Sequence, residues 1–589
     1  MIKRISAIVL LLFGMAPATS VGAQPFMPVS EIHRGMVGVG KTVFQGTQID
    51  TFGVEILGVL RNVFGPQSDM ILARLSGGPL ARTGVIAGMS GSPVYIDGKL
   101  IGAVGYAIGP IFVNEPIAGI TPISEMVALF NRPDTVVFRS AARTWPADGM
   151  GALTQVAVPL MFSGFTPDAV AASRDELTSL GFMPMQGGGG ADTTLAATEF
   201  EPGSSLGVQL IRGDMSVTGI GTLTHREGDR IVGFGHEMMS LGTTEMPMTG
   251  AYIHEVLSSQ MSSFKLGVAT KSMGAITQDR FPGIAGIVGR SASMMPVRID
   301  IASPGSGKTY RMEVFQDRLL GPVLLRMAVV SALISAEKLS GQATVEGGVL
   351  IYLKDQAPIE IEDTFSGGQG LGRAVLGLTQ PLATLIQNPF QPVVVDSAIF
   401  RLQIKENTRV AQISGVRLAK DRYEPGDTLN VEVALSPYLG HEKAIRLQIV
   451  IPYYATGRAI LRVESEQSSR SQDVKRAPGL YESKNLSDVI RVISLPGRND
   501  VLVANLLTSE QTVTVERYEV GMLPESVVMA LSQARQSDVV QRASQTIWAK
   551  TKAETDFVLV GSQTVLLNFD KEGVGVMFTG KGNAGDQKK

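Results

Sequence analysis

The sequence predicts a mainly β chain: two small barrels joined by a helical insert, then a β-sandwich and a short α/β segment at the end. Three observations carry that expectation. Glycine supplies 66 of 589 residues, about one in nine where ~7% is usual, so tight turns are frequent. Short Val/Ile/Leu runs recur between the glycines, and few stretches keep a helical period. Apolar residues make up 44% and charged residues 18%; that is ample core material, spread over more chain than one core organises.

Taken in order, Lys3 and Arg4 precede an apolar run from Ala7 to Met15, then Pro17 and the small-residue site Val21-Gly22-Ala23. This predicts a secretory signal peptide over 1–23, cleaved before Gln24. No later segment reads as a span; the best, Pro322 to Leu339, carries Arg326, Glu337 and Lys338. The expected mature protein is exported without a transmembrane anchor, secreted or periplasmic in a bacterial envelope. The chain has no cysteine, which excludes disulfides, a thiol nucleophile and thiolate metal sites. A formal charge of −2 with no block of like charges gives no electrostatic footprint for nucleic acid.

From Gly35 to Val104 the chain reads as short strands, ending in a hairpin around Asp97-Gly98-Lys99. Asp97 is therefore a turn residue. Helices are predicted around Ser124 to Phe130 and from Thr166-Pro167 to Gly181, the second with a hydroxyl cap and a first-turn proline. Gly187 to Gly190 reads as a loop, and β text resumes from Gly207 to about Phe315. Pro322 to Leu339 and Ala374 to Gln387 read as helices. Alternation at 429–433 and 445–450 predicts an immunoglobulin-like β-sandwich. An interrupted helix is expected from Glu525 to Lys550, with late strands near Val558 and Val565. The expected divisions are a 24–355 front region, a 356–409 helical linker, a 410–520 sandwich, a 521–579 helical/strand segment and a 580–589 disordered tail.

Chemistry concentrates in Gly88-Met89-Ser90-Gly91-Ser92-Pro93. A serine flanked so closely by glycines can present its hydroxyl at a tight bend, with the Gly88 and Ser90 N–H groups aimed into one pocket. The same hexapeptide also suits a plain turn between strands. Of five histidines, His236 in Gly233-Phe234-Gly235-His236-Glu237 follows a strand end and suits a general base at a pocket mouth. His254 lies in an alternating stretch, His225 is read as a hairpin-turn residue, and His33 and His441 sit in polar contexts. No two histidines have metal-ligand spacing, so no metal site and no cofactor are expected. Ala302-Ser303-Pro304-Gly305-Ser306-Gly307-Lys308-Thr309 nearly spells a phosphate-binding loop. Strand-like text on both sides makes it a hairpin loop, and nucleotide is not an expected partner.

Val85 to Met126, with Gly-Met-Ser-Gly-Ser-Pro, Gly98-Lys99-Leu100-Ile101-Gly102-Ala103-Val104, Phe112-Val113-Asn114-Glu115-Pro116 and Gly119-Ile120, closely resembles the nucleophile region of the SpoIVB-type serine peptidases. Gly219-Ile220-Gly221-Thr222-Leu223-Thr224, followed by Phe234-Gly235-His236, resembles the same family's histidine segment. The resemblance implies a trypsin-like or related double β-barrel peptidase region, with Ser90 as nucleophile and His236 as general base. By analogy with Gly-x-Ser-Gly sites, Gly88 and Ser90 would supply the oxyanion hole. The order of the two segments is reversed relative to the family, and no PDZ-like module is evident. The family's acidic residue falls near Ser76-Gly77, where there is no carboxylate; Asp69 and Asp229 are the candidates for a third member.

The expectation is an exported serine endopeptidase that cleaves protein or peptide substrates by acyl transfer, or cleaves itself near the 187–190 loop. The alternative is a catalytically inactive, peptidase-like envelope scaffold or binding protein.

Overall fold

Alternating burial builds the first barrel. In β1 (Val37–Thr42) every second side chain turns inward, and β2 (Asp50–Leu60) and β3 (Met70–Ser76) extend the pattern antiparallel. A short turn at Asp97-Gly98, both with positive φ, joins β4 (Pro93–Ile96) to β5 (Lys99–Ile108), and β6 (Ile117–Pro122) follows. The pairings run β1-β2-β3-β6-β5-β4 and return to β1, so six antiparallel strands close on themselves with no free edge. Phe52, Ile56, Ile71, Met89, Ile101 and Ile120 fill the interior.

The computed structural model describes residues 24–66, 68–108, 115–133, 153–189, 192–196, 200–259, 262–336, 343–495, 497–510, 512–515, 518–521, 523–533, 540–569 and 577–578. The expected signal peptide, the Phe112-Val113-Asn114 part of the resemblance, Gly190 and the tail from 580 lie outside these residues.

The insert comprises β7 (Leu153–Gln155), β8 (Val158–Ser163), two short helices, Pro167–Ala172 and Arg174–Ser179, and β9 (Phe182–Gln186). Thr166 caps the first helix by accepting a hydrogen bond from the Ala169 N–H. A second barrel then forms from β10 (Ser205–Gly213), β11 (Ser216–Glu227), β12 (Arg230–Gly233), β13 (Gly242–Leu257), β14 (Phe264–Arg280) and β15 (Gly283–Val288). Its ring is β10-β13-β14-β15-β12-β11, closed by β10 on β11 and antiparallel throughout. The double-barrel expectation therefore holds. The P-loop-like segment joins β16 (Met294–Ser303) to β17 (Ser306–Phe315) as a hairpin, with Gly305 at positive φ.

The second barrel continues sideways into a larger sheet, and here the expected divisions change. Residues 356–409 are not a helical linker. They contain β19 (Ile359–Ser366), the helix Gly370–Ile386 and β20 (Val395–Lys405); β20 is inserted between β16, parallel, and β18 (Thr344–Leu353), antiparallel. The helix Leu320–Ala336 packs beside Gly370–Ile386, apolar on nearly every side because it is buried on nearly every side.

The sandwich does not stop at 520. One sheet uses strands within 410–450 plus Val558–Val560. The other combines Arg458–Ser465 and Val501–Thr508 with Thr546–Glu554 and Gln563–Asn568. Among the described residues of the expected terminal helix, only Glu525–Gln533 is helical; Thr546–Glu554 instead pairs with Val501–Thr508 in the sandwich. No helix among the described residues is long and apolar enough to cross a membrane.

Candidate active site

The segment carrying Ser90 leaves the first barrel and docks on β11 of the second. Three of its carbonyls are taken by threonines of that strand. The Thr222 N–H donates to Ser90 O at 2.8 Å, Thr222 Oγ1 to Gly88 O at 3.1 Å, and Thr224 Oγ1 to Gly91 O at 2.7 Å. Contact is so close that a Cβ on Gly91 would stand 2.0 Å from Thr222 O and 2.4 Å from Phe234 N, and Gly91 holds φ at +93°. Only glycine meets both conditions. The Gly91 N–H is anchored to Val104 O and the Ser92 N–H to Met89 O. Among the described residues the N–H groups of Gly88 and Ser90 donate to no acceptor. Two unpaired donors two residues apart beside a serine hydroxyl are what an oxyanion hole consists of.

His236 arrives from the other barrel, two residues beyond Phe234. Its Nδ1 lies 2.6 Å from Glu237 O. A carbonyl only accepts, so Nδ1 carries the proton and Nε2 is left with its lone pair, the tautomer a general base needs. Burial pushes the imidazole down to about 4, against the pull of the Glu237 and Val156 carbonyls. Ser90 is 0% and His236 1% exposed. Among the described residues neither Ser90 Oγ nor His236 Nε2 has a hydrogen-bond partner, so the two groups stand in neighbouring segments without bonding to each other.

The acidic candidates are elsewhere. Asp69 is committed to the Arg61 guanidinium and the Asn62 N–H; burial would raise its carboxyl, but these partners hold it below its ordinary value. Asp229 lies exposed in the β11–β12 turn, its carbonyl accepting from the Val288 N–H. Neither bonds to His236. His225 is not a turn residue: it lies on β11 opposite Val232, buried and edge-on to Phe26. His33, His254 and His441 are exposed.

Sequence reasoning passed over three other groups. Asp279, at the end of β14, is fully buried and accepts from the N–H groups of Met238 at 2.7 Å, Met239 at 2.9 Å and Leu241 at 3.1 Å. Burial raises its carboxyl while those bonds pull it back. It thereby shapes the loop that follows His236. Glu237 is buried beside it, its carboxyl pushed up to about 7 by desolvation first and then by the Asp279 charge. Lys265 is the third, and it lies against Gly88. In the sequence each reads as an ordinary surface charge.

No group of three or more His, Asp or Glu side chains among the described residues is arranged to hold a metal ion. A cleft of about 880 Å³ lies at the edge of the large sheet against the sandwich, and neither Ser90 nor His236 lines it. Charges on its wall pair with one another, Lys405 with Glu346 and Arg498 with Asp500.

Residues 19–127 match a family described as SpoIVB peptidase S55. The match spans the first barrel and the Ser90 loop, and it supports a serine peptidase; the His236 segment lies beyond it. No curated protein and no solved structure matches the chain.

Proposed function

We propose that this protein is an exported serine endopeptidase in which Ser90 is the nucleophile and His236 the general base. The observation that carries the reading is the docking of Gly88–Gly91 onto β11 beside Phe234–His236, with the Gly88 and Ser90 N–H groups left unpaired. Ser90 Oγ adds to the scissile carbonyl, and its proton passes to His236 Nε2. The carbonyl electron pair moves onto oxygen and is held by the two N–H groups. Collapse breaks the C–N bond, and His236 returns the proton to the leaving amine. Water then repeats the sequence on the acyl-enzyme. The Glu237 carbonyl does for the imidazole what a triad carboxylate does, fixing the tautomer at Nδ1 without supplying a charge. The substrate class is an extended polypeptide, positioned by main-chain hydrogen bonds.

The test is a fluorophosphonate probe followed by peptide mapping. Wild-type protein is expected to carry the label on Ser90, and Ser90→Ala and His236→Gln to lose the reaction by a factor on the order of 10⁶ each, without adding. Folded wild-type protein that takes no label, or labels equally as Ser90→Ala, overturns the reading. A second reading, a peptidase-like envelope scaffold, draws on the burial of both side chains and the missing bond between them. It predicts the unlabelled outcome.

A further inference from the structure

Lys265 is 0% exposed. Its Nζ donates to Thr42 Oγ1 at 2.8 Å, and among the described residues no carboxylate forms an ion pair with it. A buried ammonium ordinarily sits against a counter-charge or gives up its proton. Lys265 is held where it is by backbone bonds to the chain entering the Ser90 loop: its N–H donates to Ala87 O at 3.0 Å, and the Ala87 N–H donates to Ser263 O at 2.8 Å. The stem lies on Gly88, with Cδ 3.2 Å from where a Cβ of Gly88 would be. The amine is two bonds farther on. Thr42 Oγ1, its acceptor, stands 3.5 Å from Thr222 Oγ1, the group that donates to Gly88 O. The uncompensated amine and the unpaired Gly88 and Ser90 N–H groups thus converge on one loop.

We propose that Lys265 is a further catalytic residue of the serine site, a cation whose counter-charge is the oxyanion formed at the Gly88 and Ser90 N–H groups. This rests on the serine-peptidase reading above. Lys265 exchanges no proton in the reaction: the hydroxyl proton goes to His236, and the ammonium donates a charge-assisted hydrogen bond to the new alkoxide. The site lacks a resident anion because one appears there only during turnover. Thr42 holds the amine in the interval.

Burial lowers the Lys265 amine to about 7, so it is charged below that pH and neutral above it. The charged or titratable groups on the elements packed around it are Lys41 on β1, Asp192 before the 3-10 turn Thr193–Leu195, Arg212 on β10, His225, Arg226 and Glu227 on β11, and Glu245, Tyr252, His254 and Glu255 on β13. None forms an ion pair with it. Glu237, beside His236, titrates in the same range, so the wild-type profile must be compared with a lysine variant.

The experiment measures the second-order rate of Ser90 modification by the fluorophosphonate from pH 5 to pH 9, for wild type and Lys265→Met, with folded protein checked by circular dichroism. Wild type is expected to slow as pH rises through about 7. Lys265→Met is expected to be slower by about 10²–10³-fold at low pH, the usual cost of an oxyanion donor, and to lack the falling limb. A wild-type rate that rises through neutrality makes the amine a base and overturns the proposal. So does a Lys265→Met protein with wild-type rate, or one that keeps the limb, which then belongs to Glu237. If Lys265→Met does not fold, the wild-type limb is sought again in Glu237→Gln, where its survival supports Lys265 and its loss overturns it. Failure of wild type to react at Ser90 is a different result: it overturns the peptidase reading and takes this proposal with it.

Discussion

Two buried cations in this chain are treated in opposite ways. Arg476, in the helix Glu466–Arg476 packed beside the sandwich, is 6% exposed, and all three nitrogens of its guanidinium are engaged. Nε meets Asp473 at 3.0 Å, Nη1 and Nη2 meet the two Glu519 oxygens at 2.8 Å each, and Nη1 also reaches Gln545 O at 2.6 Å. Lys265, more deeply buried, has one threonine hydroxyl. The planar fork with its carboxylates ties helix, small sheet and sandwich together. The bare amine ties little, and its place beside the Ser90 loop gives it, in the proposed mechanism, a use that Arg476 lacks. If the proposal holds, full compensation marks a structural charge in this molecule, and partial compensation a reactive one.

Removing a structural charge should have the larger effect on stability. Arg476→Met leaves Asp473 and Glu519 half-buried without their partner, and breaking a buried pair in this way costs about 3–5 kcal/mol. Urea unfolding read by hydrogen exchange in Thr512–Val515 and Val540–Ala543 should show protection lost at markedly lower denaturant there, with the first barrel unaffected. Equal sensitivity to Lys265→Met would erase the contrast.

Asp279 is the anionic counterpart, compensated by backbone alone. Asp279→Ala orphans the N–H groups of Met238, Met239 and Leu241, and each buried donor left unsatisfied costs about 1–3 kcal/mol before the loop relaxes. The expected outcome is local: faster amide exchange at 238–241 and slower Ser90 labelling, because the loop carrying His236 loses its shape, while β1 to β6 keep their protection. Unchanged exchange in that loop would mean that Asp279 only fills space.

Much of this arrangement was legible beforehand where a residue's local conformation and its role coincide. Gly91 must be glycine for a backbone reason and also marks the Ser90 turn. Asp97-Gly98 announces its hairpin, and Thr166 its helix cap, through short-range chemistry. Ser90 and His236 stood out because glycines surround them. What the sequence hid depends on distant pairing. Val395–Lys405 looks like the end of a linker until β16 and β18 are placed on either side of it, and Thr546 to Lys550 passes for the end of a helix until Thr546–Glu554 lies along Val501–Thr508. Lys265 and Asp279 were invisible for a related reason. A charge in a strand reads as a surface position, and nothing local says that the first barrel will close over Lys265 or that the 238–241 loop will fold onto Asp279.

The smallest effect is the most discriminating. At pH 7 Lys265→Met should leave stability unchanged or raise it, because a methionine of similar length fills the same space without desolvating a charge. The sign with pH follows from the lowered amine. From about 7 upward to its ordinary 10.5, the unfolded chain binds a proton there that the folded chain has released. Raising pH through that window therefore stabilises the wild type. Below it the amine is charged in both states and the dependence vanishes. Wild type should thus gain on Lys265→Met between pH 7 and pH 10 in paired urea titrations, and run parallel to it between pH 5 and pH 6. An opposite trend would mean that an unrecognised anion already compensates the amine in the resting protein. Lys265 would then stand with Arg476 as a structural charge.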